Sequence, residues 1–477
     1  MPRQLAFLIY VGFIIWLFRA DMKLRRAGSW ALLIPGLWLA ITGSRPVTYW
    51  LGSYGDLGTT NVEGNAINMV IFGALMVAAL FVLQRRAFDW GAVLMNNKAL
   101  IAIYLYFLLS FVWSFYPLPT MKRILKDFGC VLMVLVFLTE PDPIRAARII
   151  FTRCAYLLFP LSVLLIKYYP EYGRMYAKNW ELMYTGVTTH KNTLGLVVVV
   201  FGLMVVLDLL AIRKDREGVG TGKAFYIRCL ILLMGSWLLF MSNSKTSLLC
   251  LILGLGVYWA SHHLEKLRNP RSALLACVSL LVSVALIQVV FDVKRTVIEG
   301  VGRNETLTGR TEMWEVIRAQ KTNPILGWGF YAFWDTPAAR AYNEEGETSY
   351  VTAHNGYLDM YLDGGGLALL LFAVLVFMTG NKVFLGLFTE DPYRRARFMF
   401  FVIALVYNCS ESSFFRMDPL WSMFLLVAIN YSRVPEPERN FSRLVDEPGT
   451  APVRGWEGVA LGPDNLQPER FHGSVQS

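Results

Sequence analysis

The residues best able to do chemistry in this 477-residue chain are cations and histidines gathered at predicted helix starts. Lys122-Arg123 and Lys126 open one apolar segment. Thr188-Thr189-His190-Lys191-Asn192 precedes another, and Ser242-Asn243-Ser244-Lys245-Thr246 a third. In the longest polar loop Thr308-Gly309-Arg310 stands ahead of a predicted helix over 311–320, and Ala353-His354-Asn355 leads into a further apolar segment. A helix N-terminus carries partial positive charge and free N–H groups, so carboxylates are favoured there and a cation costs about 0.3–1 kcal/mol. Five such placements call for a compensating anion, and helix N-termini with Lys and Arg make a phosphate site. The competing reading is that these long side chains reach anionic lipid headgroups. Arg310 and His354, set in the polar loop, do not fit it.

His354 is the sharpest single residue. A neutral imidazole near physiological pH can take a proton from an attacking hydroxyl, or it can simply hold a hydrogen bond at an interface. Asp359 and Asp363, one turn apart beyond it, can orient the histidine or bind hydroxyls. Glu411, in Asn408-Cys409-Ser410-Glu411-Ser412, either pairs with one of the cations or is an ordinary turn residue. Trp314 follows Arg310 by four residues and shares its helix face, as a packing residue or a contact. The aromatic turn Gly327-Trp328-Gly329-Phe330 suits sugar CH faces and a membrane-interface belt equally well. Lys191, Lys245 and Arg123 are thus diphosphate candidates, and His190, Asn355, Trp314, Asp359 and Glu411 candidates for acceptor or sugar contact. No set of His, Cys, Asp and Glu has metal-ligand spacing. Gly300-Val301-Gly302 lacks the strand context of a nucleotide fold.

The elements that must position these residues are membrane spans. Hydrophobic residues make up 55% of the chain and charged residues 17%, against about 25% charged in soluble domains. That composition excludes a cytosolic globular enzyme, a disordered chain and a collagen-like fibre. Apolar segments at 4–18, 29–43, 67–83, 98–114, 124–139, 154–167, 193–212, 226–241, 246–261, 273–291, 365–380, 397–409 and 419–431 predict an all-α polytopic protein of twelve to fourteen transmembrane helices. The first segment has no small-residue cleavage site and reads as an anchor. The net charge is +10, and 27 of the 45 Lys and Arg fall in alternate loops and the tail. Those loops are therefore expected to face the cytoplasm, with the other set outside. The expected organisation is an N-terminal bundle (1–291), a large, partly helical outside loop (292–364), C-terminal helices (365–431) and a disordered cytoplasmic tail (432–477). The six cysteines lie in or beside apolar blocks, so neither a disulfide framework nor a thiol metal site is read. No nucleic-acid motif is present.

Three strings in the loop, Thr308-Gly-Arg-Thr-Glu-Met-Trp314, Asn323-Pro-Ile-Leu-Gly-Trp-Gly-Phe330 and Ala353-His-Asn-Gly-Tyr357, followed by Gly364-Gly-Gly-Leu367, resemble the O-antigen ligase and Wzy-type polymerase superfamily of bacterial envelopes. Ser242-Asn-Ser-Lys-Thr-Ser247 and His190-Lys-Asn-Thr193 resemble its branch of succinoglycan-type exopolysaccharide polymerases. The resemblance implies a GT-C-like fold in the bacterial inner membrane, with the active site on the periplasmic face. It implies metal-independent, inverting glycosyl transfer from a glycan on undecaprenyl diphosphate, with no cofactor beyond that lipid carrier. It assigns His354 to deprotonating or orienting the acceptor and Arg310 to the diphosphate. The position of the second arginine falls at Lys245, which keeps the charge and loses the bidentate fork. A chain-length regulator and an export complex are implied partners. Lys245 and the His-Lys-Asn segment favour a polymerase joining repeat units over a ligase moving finished glycan to lipid A-core or protein. A flippase is the alternative of another class, and an envelope scaffold a fourth.

Overall fold

A computed structural model describes residues 1–24, 28–52, 65–86, 88–176, 180–214, 221–266, 310–345 and 350–431. The main helices are α1 (Arg3–Leu24), α2 (Leu33–Thr42), α3 (Ala66–Arg85), α4 (Lys98–Leu109), α5 (Pro117–Leu138), α6 (Pro143–Tyr168), α7 (Lys191–Lys214), α8 (Thr221–Ser242), α9 (Lys245–Lys266), α10 (Arg310–Ala319), α11 (Gly356–Gly386), α12 (Arg394–Tyr407) and α13 (Pro419–Ala428). One antiparallel hairpin, Arg174–Tyr176 with Leu182–Tyr184, lies between α6 and α7. The fold is an all-α polytopic membrane architecture. Among the described residues seven helices are long and apolar enough to cross a membrane, or eight if Trp90–Asn96 and Lys98–Val112, bent by 93°, are one span. Every predicted apolar segment within the described residues is helical over most of its length; 273–291 lies outside the described residues, as do residues 292–309 and the tail. The lower number of full-length spans has a simple cause. Helices α2, α12 and α13 have 10, 14 and 10 residues, short of the ~20 a bilayer needs. Helix α5 carries Lys122, Arg123, Lys126 and Asp127 in its first half.

Helix starts are written locally. Asp142 accepts from Arg145 N at 2.9 Å ahead of Pro143, and Asp418 from Trp421 N at 2.8 Å ahead of Pro419. Both combine a side-chain cap with proline in the first turn. Helices α5, α6, α7 and α13 are buried along most of their length, whereas α1, α3, α8 and α9 expose large apolar side chains such as Leu8, Val70, Phe240 and Ile252, surfaces suited to hydrocarbon. An ion-pair network crosses the interior of the bundle. Arg228, buried on α8, reaches Asp21 on α1 and Asp208 on α7, each at 3.0 Å, while Arg153 and Arg148 on α6 meet the same two carboxylates at 2.8 and 3.3 Å.

Helix α11 is broken at Gly364-Gly365, where Gly365 takes φ +62° and ψ −161°. The segment after α10 docks into that break. Trp328 N donates to Leu362 O (2.8 Å), Gly329 N to Asp363 O (3.0 Å) and Gly366 N to Pro324 O (2.8 Å). Tyr106 on α4 donates its hydroxyl to Gly364 O at 2.7 Å. Backbone groups freed by the break are thus satisfied by another segment, the condition for non-helical backbone in a membrane helix. A small second core of Met313, Ile317, Phe333, Trp334, Ala339, Ala353 and Leu362 packs α10 against this region.

Candidate functional site

His354 precedes α11 in a left-handed conformation, φ +50°, an arrangement a non-glycine residue holds only when its surroundings impose it. Asn355 caps the helix, its Oδ1 accepting from Tyr357 N and Leu358 N at 3.1 Å. Gly356 N then donates to Asn408 O (2.9 Å) and Glu411 O (3.0 Å). The 408–414 turn is fixed by Asn408, whose Oδ1 accepts from Ser413 N (2.8 Å) and Phe414 N (3.0 Å). These bonds bring His354 Nδ1 to 3.0 Å from Glu411 Oε2. Glu411 Oε1 accepts from Asn192 Nδ2 at 2.7 Å, across 219 residues of sequence. A carboxylate that accepts from Nδ1–H leaves Nε2 of His354 as the bare nitrogen, the orientation a general base needs.

His190 stands beside this pair, with its ring centroid 6.4 Å from that of His354. Its approach is rigid. Buried Arg45 donates to Thr188 O (2.8 Å) and Thr185 Oγ1 (2.9 Å) and lies over the Tyr49 ring at 4.7 Å, and Thr188 Oγ1 donates to His190 O at 2.9 Å. Lys191 opens α7 and meets exposed Glu181 at 3.6 Å, a contact of little energetic weight. Lys245 opens α9 and is exposed. Thr246 Oγ1 lies 2.9 Å from Ser410 Oγ, which brings the α9 start beside the Glu411 turn. Tyr350 presents a T-shaped contact to His354 with centroids 6.0 Å apart. Asn343 grips Tyr350 through both backbone groups, accepting from N at 3.0 Å and donating to O at 2.9 Å.

Asp359 and Trp314 support the site from behind. Trp314 donates to Ala353 O at 2.9 Å, and Asp359 accepts from Ala353 N at 2.9 Å and from Ser412 Oγ. One buried carboxylate therefore ties the residue before His354 to the residue after Glu411. Arg416, which the helix-start pattern did not single out, holds that carboxylate. Its guanidinium is 3.5 Å from Asp359 Oδ2 and 3.9 Å from Asp363 Oδ2 and covers the Tyr331 ring at 3.4 Å. Burial alone would lower this guanidinium, but Tyr331, Asp359 and Asp363 outweigh it and hold the group above its ordinary value. Its sequence signal is a lone arginine in a short turn between apolar helices.

Arg123 lies on the far side of this knot. It donates to Tyr331 O and pairs with buried Asp335, so it anchors the Phe330–Asp335 backbone. Arg310 opens α10, but its side chain lies outside the described residues, as do Thr308 and Gly309. The structure therefore brings together His354, Asn355, Glu411, His190 and Lys191 with the α9 start bearing Lys245, and sets Trp314 and Asp359 behind them. Asn192, which donates to Glu411, had no signal beyond its place in the His-Lys-Asn string. Among the described residues no three His, Cys, Asp or Glu side chains group closely enough to hold a metal ion.

Comparison with known proteins gives two findings. Residues 229–373 match the O-antigen ligase family (Wzy_C). The chain is also similar to the exopolysaccharide production protein ExoQ of Rhizobium meliloti, at 27% identity over 183 residues, covering 37% of this chain and 42% of that protein. The match thus spans less than half the length of the relative. The family match begins in α8 and ends in α11, so it holds Lys245, Arg310 and His354 and leaves out His190, Asn192 and Glu411.

Proposed function

We propose that this chain, which carries an O-antigen ligase region of the Wzy type, is an inner-membrane polysaccharide polymerase that joins oligosaccharide repeat units carried on undecaprenyl diphosphate. The observation that carries the reading is the Asn192–Glu411–His354 relay, which presents a bare imidazole nitrogen among cationic helix starts. In the proposed step the acceptor hydroxyl oxygen bonds to the anomeric carbon of the donor while His354 Nε2 takes the hydroxyl proton. The bond from that carbon to the diphosphate oxygen breaks with its electron pair, inverting the centre and releasing the lipid diphosphate. Lys191, Lys245 and Arg310 supply the charge that stabilises the leaving group; the reading assigns that task to side chains and needs no metal. Holding two tethered reactants in line supplies further rate. The site is assigned to the periplasmic face and the tail to the cytoplasm, from the lysine and arginine bias.

The test uses purified full-length protein with lipid-linked repeat units. Longer lipid-linked chains are expected, and His354→Ala, at normal protein level, should abolish them. Transfer only to lipid A-core or protein would make the chain a ligase. Accumulation of unextended units on the inner face in cells carrying the variant would make it a flippase. The pairing of Arg228 with Asp21 and Asp208 speaks against the last, because a transport path needs intramembrane charges that can engage a substrate.

A further inference from the structure

Three consecutive residues of the turn between α12 and α13 are each held by a different helix. Ser410 Oγ lies 2.9 Å from Thr246 Oγ1 in the first turn of α9. Glu411 Oε1 accepts from Asn192 Nδ2 in the first turn of α7 at 2.7 Å. Ser412 Oγ donates to Asp359 Oδ2 in the first turn of α11. The partners stand 164, 219 and 53 residues away in sequence, so no local preference sets this geometry. The backbone is held as well, because Glu411 O accepts from Gly356 N at 3.0 Å.

The Asp359 end of this frame is itself fixed. Its other oxygen accepts from Ala353 N at 2.9 Å, and the Arg416 guanidinium stands 3.5 Å from Oδ2. The Ser412 hydroxyl therefore bonds to a carboxylate that already holds the residue before His354. Glu411 and His354 lie on separate segments, and their 3.0 Å contact depends on both segments being held in one frame. A catalytic group has to stay within about 0.5 Å of its productive place. A glutamate reaches its partner through three rotatable bonds, so its carboxylate is no better placed than the backbone beneath it.

We propose that Ser410 and Ser412 are positioning residues for the base. Their hydroxyls pin the backbone on either side of Glu411 to α9 and α11, so that its carboxylate meets His354 Nδ1 and leaves Nε2 for the acceptor hydroxyl. This rests on the glycosyl-transfer reading above. Neither serine touches the reacting atoms in that reading; both act through Glu411.

The experiment measures kcat and KM for elongation of lipid-linked repeat units by monodisperse full-length variants. Ser412→Ala should lower kcat roughly tenfold, because its partner is a carboxylate, and Ser410→Ala roughly fivefold, because its partner is neutral. KM should stay at the wild-type value in both. Ser412→Thr keeps the hydroxyl and should restore most of the turnover. In a Glu411→Gln background, Ser412→Ala should lower the residual turnover by less than about twofold, since residues acting through one another are not additive. Wild-type kcat in the folded alanine variants overturns the proposal, as does a full tenfold loss on top of Glu411→Gln. Should Ser412→Ala fail to fold, Ser410→Ala decides by the same measures. Failure of both to give monodisperse protein would assign the hydroxyls to the fold and overturn it too. Full elongation by His354→Ala would instead overturn the underlying reading, so the two failures are distinguishable.

Discussion

Glu411 shows how much one side chain can settle. It is buried, it receives Asn192 on one oxygen and His354 on the other, and so it fixes which nitrogen of the imidazole is available. Glu411→Gln replaces the carboxylate with an amide that must turn its own N–H toward one of two donors. Elongation is expected to fall about a hundredfold or more, with protein level unchanged, when assayed with lipid-linked repeat units. Asp418 gives a prediction in pH. Burial raises its carboxyl to about 7, with the Trp421 N–H and Ser413 hydroxyl pulling the other way. A folded value above the unfolded one means that its favourable contribution is full below about 4 and lost as pH rises through about 7. Asp418→Asn keeps an oxygen for the Trp421 cap. The melting temperature of the variant in detergent should fall less between pH 6 and pH 8 than that of the wild type. At this scale the sequence exposed His354 through its type and setting, and Glu411 as one of several acids. Arg416 stayed hidden because its partners Asp359 and Asp363 lie more than fifty residues away and no periodicity links them.

The break in α11 and the Asn323–Phe330 segment form one structural unit. In sequence they are two glycine-bearing strings separated by more than thirty residues, the first readable as an aromatic turn and the second only as part of a family resemblance. Their meaning is backbone proximity. A Cβ on Gly365 would lie 2.3 Å from Ile325 C, and one on Gly327 would lie 2.6 Å from Gly364 N. Both glycines also hold positive φ, which L side chains disfavour. Gly365→Ala should therefore cost several kcal/mol, strain and overlap together. The check is monodispersity and melting temperature by fluorescence-detected size exclusion; a wild-type profile would refute the docking argument. The apolar segments themselves were readable from hydropathy alone. Their lengths were less so, because α2, α12 and α13 are short and α5 starts with charges, of which Arg123 pairs with Asp335 and Asp127 accepts from Tyr104. The helix-start argument likewise selected Arg123 by its position, while the fold spends it on Asp335.

Among the described residues two charged regions stand apart. The starts of α7, α9 and α11 carry cations and imidazoles beside a relay. The Arg228 network joins α1, α6, α7 and α8 in the interior. Removing Arg228 alone takes away the cation shared by Asp21 and Asp208 and leaves Arg153 and Arg148 against them, a change approaching the ~3–5 kcal/mol of a broken buried pair. Arg228→Met should reduce folded protein, measured as detergent-extracted monodisperse protein, and Arg228→Lys, which keeps the charge but cannot span both carboxylates, should reduce it less. Hydropathy revealed that these helices exist. Which of them touch was not legible, since the contacts depend on single charges set inside otherwise apolar stretches.

The Asn343–Tyr350 grip has a practical consequence. Asn343 holds both backbone groups of Tyr350, so the two ends of the chain that joins them are fixed points. A short epitope spliced between Glu345 and Tyr350 would be tethered at both ends without disturbing the imidazole next door. Antibody labelling of intact spheroplasts would then tell which side of the membrane the reaction chamber opens to, using a protein that still works.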